Sequence, residues 1–217
     1  MSHFDMFVLY NEFQSMLRRS IGRFARDTSG AALVEMGFAL PILILLTTGA
    51  LVVQDAVRMS YLRSKATYTV SDMVSREDTF IDADYFDGLN SVFRYIVGPQ
   101  HPTELRISTI ECTADCDDEA QRVLEFCWSY PSSGLSALTN DQIASYEAQT
   151  PLFSEGDTLL MTEAFLDYTP LFGDFIMSPQ TYETVAFTRP RIAGQIKFDT
   201  GSLDTDGNTI VRDCFNN

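Results

Sequence analysis

The chain has 217 residues, 45% of them hydrophobic and 21% charged, a balance that fits one packed domain of ordinary size plus an anchoring segment and excludes a disordered chain. Lys and Arg number 15 against 30 Asp and Glu, a formal net charge of −15. A surface this acidic repels phosphate backbones, so nucleic acid is not an expected partner.

The charge is unevenly spread. Residues 1–30 hold Arg18, Arg19, Arg23 and Arg26 against Asp5, Glu12 and Asp27, leaving 11 basic and 27 acidic residues, a net −16, in the remainder. Residues 36–53, MGFALPILILLTTGALVV, then give 18 positions without a charge, and residues 31–34 extend the apolar run to the other side of Glu35. A run of this length predicts a helix able to cross the hydrocarbon layer. It continues into Gln54, Asp55 and further helical sequence rather than into a small-residue cleavage site, so a retained anchor is expected and not a secretory signal. The arginines on its N-terminal side orient it by the positive-inside rule, which predicts an N-terminus in the cytoplasm and an exported body. The resulting division is a leader over 1–30, an anchor continuing as an amphipathic helix over 31–76, and an extracytoplasmic domain over 77–217.

Beyond the anchor, Val57, Leu62, Ala66, Val70 and Met73 form an approximate helical stripe. A helix over 31–75 would be about 65–70 Å long at 1.5 Å per residue, twice a bilayer, so its second half needs packing partners of its own. A second helix is predicted over 83–97, where Tyr85, Phe86, Leu89, Phe93, Ile96 and Val97 recur every three or four residues before Gly98-Pro99. The period then changes. Residues 104–112 alternate, residues 122–130 are rich in β-formers, and the two read as an antiparallel pair. Residues 138–149 read as a short helix with Thr139 or Asn140 as N-cap and Pro151 beyond it. Residues 157–170 and 181–191 read as a third and a fourth strand, the latter bounded by Pro179 and Pro190. The expected fold class is therefore α+β, with helices covering a mainly antiparallel sheet.

All four cysteines, Cys112, Cys116, Cys127 and Cys214, fall in the exported part, where an even number implies disulfides. Three pairings are open to them. A local bond between Cys112 and Cys116 would leave Cys127 for Cys214 and tie the C-terminal tail to the sheet. His3 and His101 are far from any cysteine in sequence, and the spacing lacks paired CxxC knuckles, so no metal and no cofactor is expected. Asp204, Asp206 and Asn208 around Gly207 superficially resemble a calcium loop, but the closing glutamate is missing and Asp-Gly between Leu203 and Ile210 predicts a hairpin turn. No hydrolase elbow, phosphate loop, dinucleotide fingerprint or metalloprotease motif occurs, and the carboxylates are scattered, so no catalytic residue is expected.

The stretch FARDTSGAALVEMGFALPILILL, with Arg23 and Arg26, Gly30, an alanine-rich start, Glu35 and Pro41, resembles the N-terminal signature of TadE/TadG-like proteins, pseudopilins of the Tad (Flp) pilus system. YTPLFGDF at 168–175 and FTRPR at 187–191 resemble the C-terminal pattern of the same family. The likeness covers the anchor well and the exported domain in patches. It departs at Met36, where precursors of this system tend to have an aromatic residue.

The resemblance implies a pilin-like fold and a minor pilin or pseudopilin acting in assembly or initiation of a Tad/Flp-type pilus. The alternative is an anchored periplasmic subunit of the pilus machine that never enters a filament. Implied partners are the bacterial inner membrane, the prepilin peptidase, the major Flp-type pilin, other minor pilins and the platform proteins. Gly30-Ala31 would be the processing site. Glu35 would be an assembly residue, because a carboxylate at the bilayer centre costs about 2.5–3.5 kcal/mol and calls for a partner. Cleavage supplies one, since the new amino group of Ala31 lies four residues before Glu35 on the same helix face. Pro41 removes a bond to the Gly37 carbonyl and is expected to kink the helix.

Overall fold

The computed structural model describes residues 29–78, 80–170, 172–173, 176–205 and 208–214. In chain order they form α1 (Ser29–Ser75), β1 (Phe80–Ile81), α2 (Ala83–Val97), β2 (Thr103–Ala114), β3 (Val123–Pro131), a 3-10 segment (Asn140–Ser145), β4 (Thr158–Tyr168), β5 (Gln180–Thr188), β6 (Lys197–Leu203) and β7 (Thr209–Arg212). This is an α+β arrangement with mainly antiparallel sheets. The chain divides into two compact units, the first ending at Leu51 and the second starting at Val52.

The second unit is built on a four-stranded antiparallel sheet in the order β3-β2-β4-β5. β2 and β4 run in register from Thr103 opposite Leu166 to Glu111 opposite Thr158. One face, carrying Leu105, Ile107, Trp128, Leu160, Ala164 and Leu166, packs against α2 and the second half of α1. α2 presents Phe86, Leu89, Phe93 and Val97 to this core. Its ends are set locally: the Asp82 carboxylate accepts from the Tyr85 N–H at 2.8 Å, and Gly98 closes the helix at φ 102°, a conformation that disfavours side chains. The opposite face carries Ile110, Leu124, Phe126, Leu159 and Met161 and is covered by Leu138 and Phe153 from the irregular segment between β3 and β4. Because both faces are covered, the start of β4, from Thr158 to Thr162, is buried at every position and shows no alternation.

A second, three-stranded sheet, in the order β1-β6-β7, was not expected from the sequence. β1 is parallel to β6, with Phe80 opposite Lys197, and β6 and β7 form an antiparallel hairpin. Asp204 holds that hairpin end by accepting from the Asn208 N–H at 2.8 Å, which agrees with a turn at this place; Asp206 and Gly207 lie outside the described residues. The small sheet is fixed to the large one by Phe198, stacked on Tyr130 at 4.4 Å and next to Trp128 at 5.4 Å. The Trp128 indole N–H also donates to the Ile196 carbonyl at 2.8 Å. The cysteines pair as Cys112–Cys116 and Cys127–Cys214, the second bond tying the chain just after β7 to β3.

Two local expectations are corrected. The 138–149 stretch forms only the short 3-10 segment from Asn140, preceded by Thr139, whose N–H donates to Gln142 Oε1 at 3.1 Å. After Ser145 the chain continues in turns, with the Gln149 and Thr150 N–H groups both donating to the Tyr146 carbonyl, and the Tyr146 side chain reaches a buried ion pair. The stripe of α1 holds at Ala66 and Val70, which are buried, and at Met73, which packs partly against the core, but not at Val57, which is 65% exposed; Val52, Ala56, Met59 and Val74 are the other buried apolar positions.

That ion pair is the main charged feature of the sheet. Arg106 on β2 stands directly opposite Glu163 on β4 and meets it through two contacts, Nε to Oε2 at 2.6 Å and Nη2 to Oε1 at 2.7 Å. Tyr146 donates its hydroxyl to Glu163 Oε1 at 2.7 Å, and Arg106 Nη1 donates to the Ser136 carbonyl at 3.0 Å. The Glu163 side chain has no exposure. Burying these charges is costly, and only the paired, fully bonded state offsets the loss of hydration. Glu163→Ala therefore leaves Arg106 uncompensated and is expected to cost about 3–5 kcal/mol in urea unfolding of the detergent-solubilised chain. The double variant Arg106→Met/Glu163→Leu is expected to recover most of that loss.

Candidate membrane anchor and its clamp

In the first unit α1 is apolar on all sides. Leu33, Val34, Met36, Phe38, Leu40 and the five residues 42–46 are each more than half exposed, from 54% at Leu45 to 72% at Phe38. Side chains at consecutive positions point around the whole helix, so no single packed face can hide them; this distinguishes the segment from a core helix. The helix is long and apolar enough to cross a membrane. Its hydroxyls are satisfied internally, Thr47 donating to the Leu43 carbonyl and Thr48 to that of Ile44, both at 2.7 Å, as a segment without water requires.

The residues singled out in the sequence are placed as follows. Gly30 and Ala31 both lie within α1, and Gly30 is exposed with no atom within 4 Å of where a Cβ would stand. Glu35 lies one turn further, exposed among Leu33, Val34 and Met36. Pro41 sits inside the helix, whose assignment runs through it without a break. Cys112, Cys116, Cys127 and Cys214 are all buried in the second unit.

The second unit holds its own stretch of α1 through polar contacts that periodicity did not reveal. The Tyr168 hydroxyl donates to Asp55 Oδ2 at 2.9 Å from a fully buried ring. Arg63 lies over the Tyr182 ring at 5.0 Å, and the hydroxyls of Ser71 and Thr188 are 2.6 Å apart. Arg191 closes the series, donating its backbone N–H to the Ser75 carbonyl at 2.7 Å and its guanidinium to Asp72 at 2.9 Å. The contacts advance together along helix and strand, so the end of β4, then β5, then the residue after Pro190 grip α1 in order, at Asp55, at Arg63 and Ser71, and at Asp72 and Ser75. Two of the gripping residues, Tyr168 and Arg191, are the outer ends of the two C-terminal patches of the pseudopilin resemblance. No family model matches the chain, and neither the curated proteins nor the solved structures contain a significant match.

His101 lies against the Tyr168 ring at 6.1 Å. It lines a groove with Asp55, Arg58 and Tyr95, and no cysteine or serine shares that lining. Among the described residues a Glu111 carboxylate oxygen lies within 4.8 Å of the sulfurs of Cys127 and Cys214, which are bonded to each other as a disulfide.

Burial, with the Asp55 hydrogen bond second, pushes the Tyr168 phenol from its ordinary value of 10.0 up to about 12. The neutral phenol is the form the fold prefers, so its contribution is complete below pH 10 and is lost as pH rises through about 12. Tyr168→Phe is expected to lower stability at neutral pH by about 1–2 kcal/mol, the worth of a hydrogen bond to a charged group. It should also soften the alkaline fall of the melting temperature, leaving a smaller fall from Tyr146, which burial also raises to about 12. Thermal melts of both chains between neutral pH and pH 12 check this.

Proposed function

We propose that the chain is a TadE-like minor pilin or pseudopilin, anchored by α1 in a bacterial inner membrane and acting in the assembly or initiation of a Tad/Flp-type pilus. One observation carries the reading: the first stretch of α1, up to Leu51, exposed and apolar on every side, has a single carboxylate, Glu35, four residues after the Gly30-Ala31 bond. A charge at that depth is disfavoured unless paired, and cleavage would create an amine in reach of it, in the same chain or in a neighbour. The arginines before the helix and the disulfides after it support an N-terminus in the cytoplasm and a second unit outside it.

Gly30 suits the cleavage side because a residue without a side chain lets a protease approach the backbone closely. The open space around it means that Gly30→Leu disturbs no packing, so any effect on processing reports access to the bond. In membranes that contain the prepilin peptidase the chain is expected to lose about 30 residues, seen by electrophoresis, and Gly30→Leu should abolish the shift. Glu35→Ala should leave the chain inserted and folded while pilus formation fails. An unchanged size with intact pili in both variants would leave an anchored subunit of the pilus machine that does not enter a filament.

A further inference from the structure

Within the second unit the two helices lie on one face of the main sheet, and their outer faces carry opposite charge. On α1 the exposed side chains are Val57 and Arg58, then Tyr61, Lys65 and Tyr68 at spacings of three and four, and the valine and both tyrosines are at least 60% exposed. Asp55 and Asp72 of the same helix are taken up by Tyr168 and by Arg76 and Arg191, so the stripe is basic and aromatic in a chain whose net charge is −15. The outer face of α2 carries Asp84, Asp87, Gly88 and Ser91, with Arg94 and the 86% exposed Tyr95 at its end. Among the described residues no ion pair engages Arg58, Lys65, Asp84 or Asp87. α2 runs back along α1: residues 76–82 join the two helices, and Tyr95 to Gly98 share a groove with Asp55, Arg58, Met59 and Leu62. Tyr95 therefore stands level with Arg58, and about 10 Å further along either helix Gly88 stands level with Lys65.

We propose that this helical layer is the contact face of a two-fold pair of chains. A two-fold axis parallel to the helices lays α1 of one copy on α2 of the other and repeats the same contact alongside, so the interface closes on itself. Such a rotation leaves the levels along the helices unchanged. Arg58 then meets the ring of Tyr95 in the second copy, a cation on an aromatic face. Tyr61 faces Ser91 and the notch at Gly88, where nothing lies within 4 Å of a Cβ position. Lys65 meets Asp87, and Tyr68 turns its hydroxyl to Asp84. The basic stripe of each copy lies on the acidic face of the other, and like charges are kept apart. Packing α1 on α1 instead would set Arg58 and Lys65 against their own kind. With the axis along the helices both chains leave the pair at the Val52 end, as two anchors in one membrane require. The pair needs neither cleavage after Gly30 nor a filament, so it stands or falls separately from the pilin reading.

The test uses the full chain in detergent, isotope-labelled and unlabelled protein being mixed and treated with a carbodiimide, which joins an ammonium to a carboxylate in direct contact. Mass spectrometry is expected to find Lys65 linked to Asp87, with labelled and unlabelled peptides joined to each other. Light scattering should give a pair and nothing larger. Lys65→Glu and Asp87→Lys, each introducing two like-charge contacts, are expected to weaken self-association at least about tenfold. Mixed with each other, these two variants should pair again, because every reversed charge then meets an opposite one. Both positions are exposed, and an unchanged melting temperature is the folding control. A wild-type chain that stays monomeric would overturn the proposal, even if anionic vesicles or another protein retain it. Pairing that survives both reversals would do so too, since it would belong to the apolar segment before Val52, and so would a mixture of the two variants that fails to pair.

Discussion

α1 changes character along its length, and the rest of the structure answers to that change. Up to residue 51 its apolar side chains point in every direction; from Val52 on, burial is confined to one face. A helix of the first kind is stable only in a low-dielectric surrounding, because its exposed apolar area would otherwise drive association. One of the second kind needs a core to receive its single stripe. The second unit supplies that core through α2 and one face of the main sheet. Among the described residues of the first unit none supplies such a core, and residues 33–51 lie in a helix long and apolar enough to cross a membrane.

Small and short side chains shape the gripped stretch. Ala56, Ala66, Thr67 and Ser71 are buried there, which lets sheet side chains approach the helix. Tyr168 and Tyr182 then fill the space with rings whose polar ends or faces meet Asp55 and Arg63. Apolar burial provides most of the stabilisation, while the five polar contacts fix the register of the helix. Sliding α1 by one turn would separate Asp55 from Tyr168 and Asp72 from Arg191 together. On the opposite face Arg106, Glu163 and Tyr146 serve a comparable purpose, locating an irregular segment that has no ladder of its own.

The parts of this fold that could be read in the sequence are those decided by neighbours in sequence. α2 has its cap at Asp82, its stripe of Phe86, Leu89 and Phe93, and its stop at Gly98 within 17 residues, and its limits matched the expectation. The strands of the main sheet were placed to within a few residues for the same reason. β1, β6 and β7 escaped because each is short or broken: β1 has two residues, and β6 carries Gly201 at φ 67° with its last residues exposed. Their pairing depends on Phe198 meeting Trp128 and Tyr130, a contact between distant segments. Arg106 and Glu163 could have been suspected as single charges inside apolar runs, but their meeting is a matter of register. The exception in the stripe on α1 has a similar origin. Val57 is as apolar as Val52, yet only Val52 is buried, a difference that helical periodicity by itself does not decide.

If α1 is inserted as proposed above, folding of the second unit and the direction of insertion are physically coupled. Cys127 and Cys214 are 87 residues apart, and closing a loop of that size stabilises a fold by about 4–5 kcal/mol in the chain-entropy model. That is a large share of the roughly 5–15 kcal/mol typical of a domain, and it is available only where disulfides persist. On the reading proposed above, Arg18, Arg19, Arg23 and Arg26 would bias the segment before α1 to the cytoplasmic side by a different mechanism, acting on charge during insertion. On that reading a chain inserted the opposite way would keep all four cysteines in a reducing compartment and would lose the tie between the tail and β3. The topology proposed from the arginines is thus the one in which the covalent tie can form.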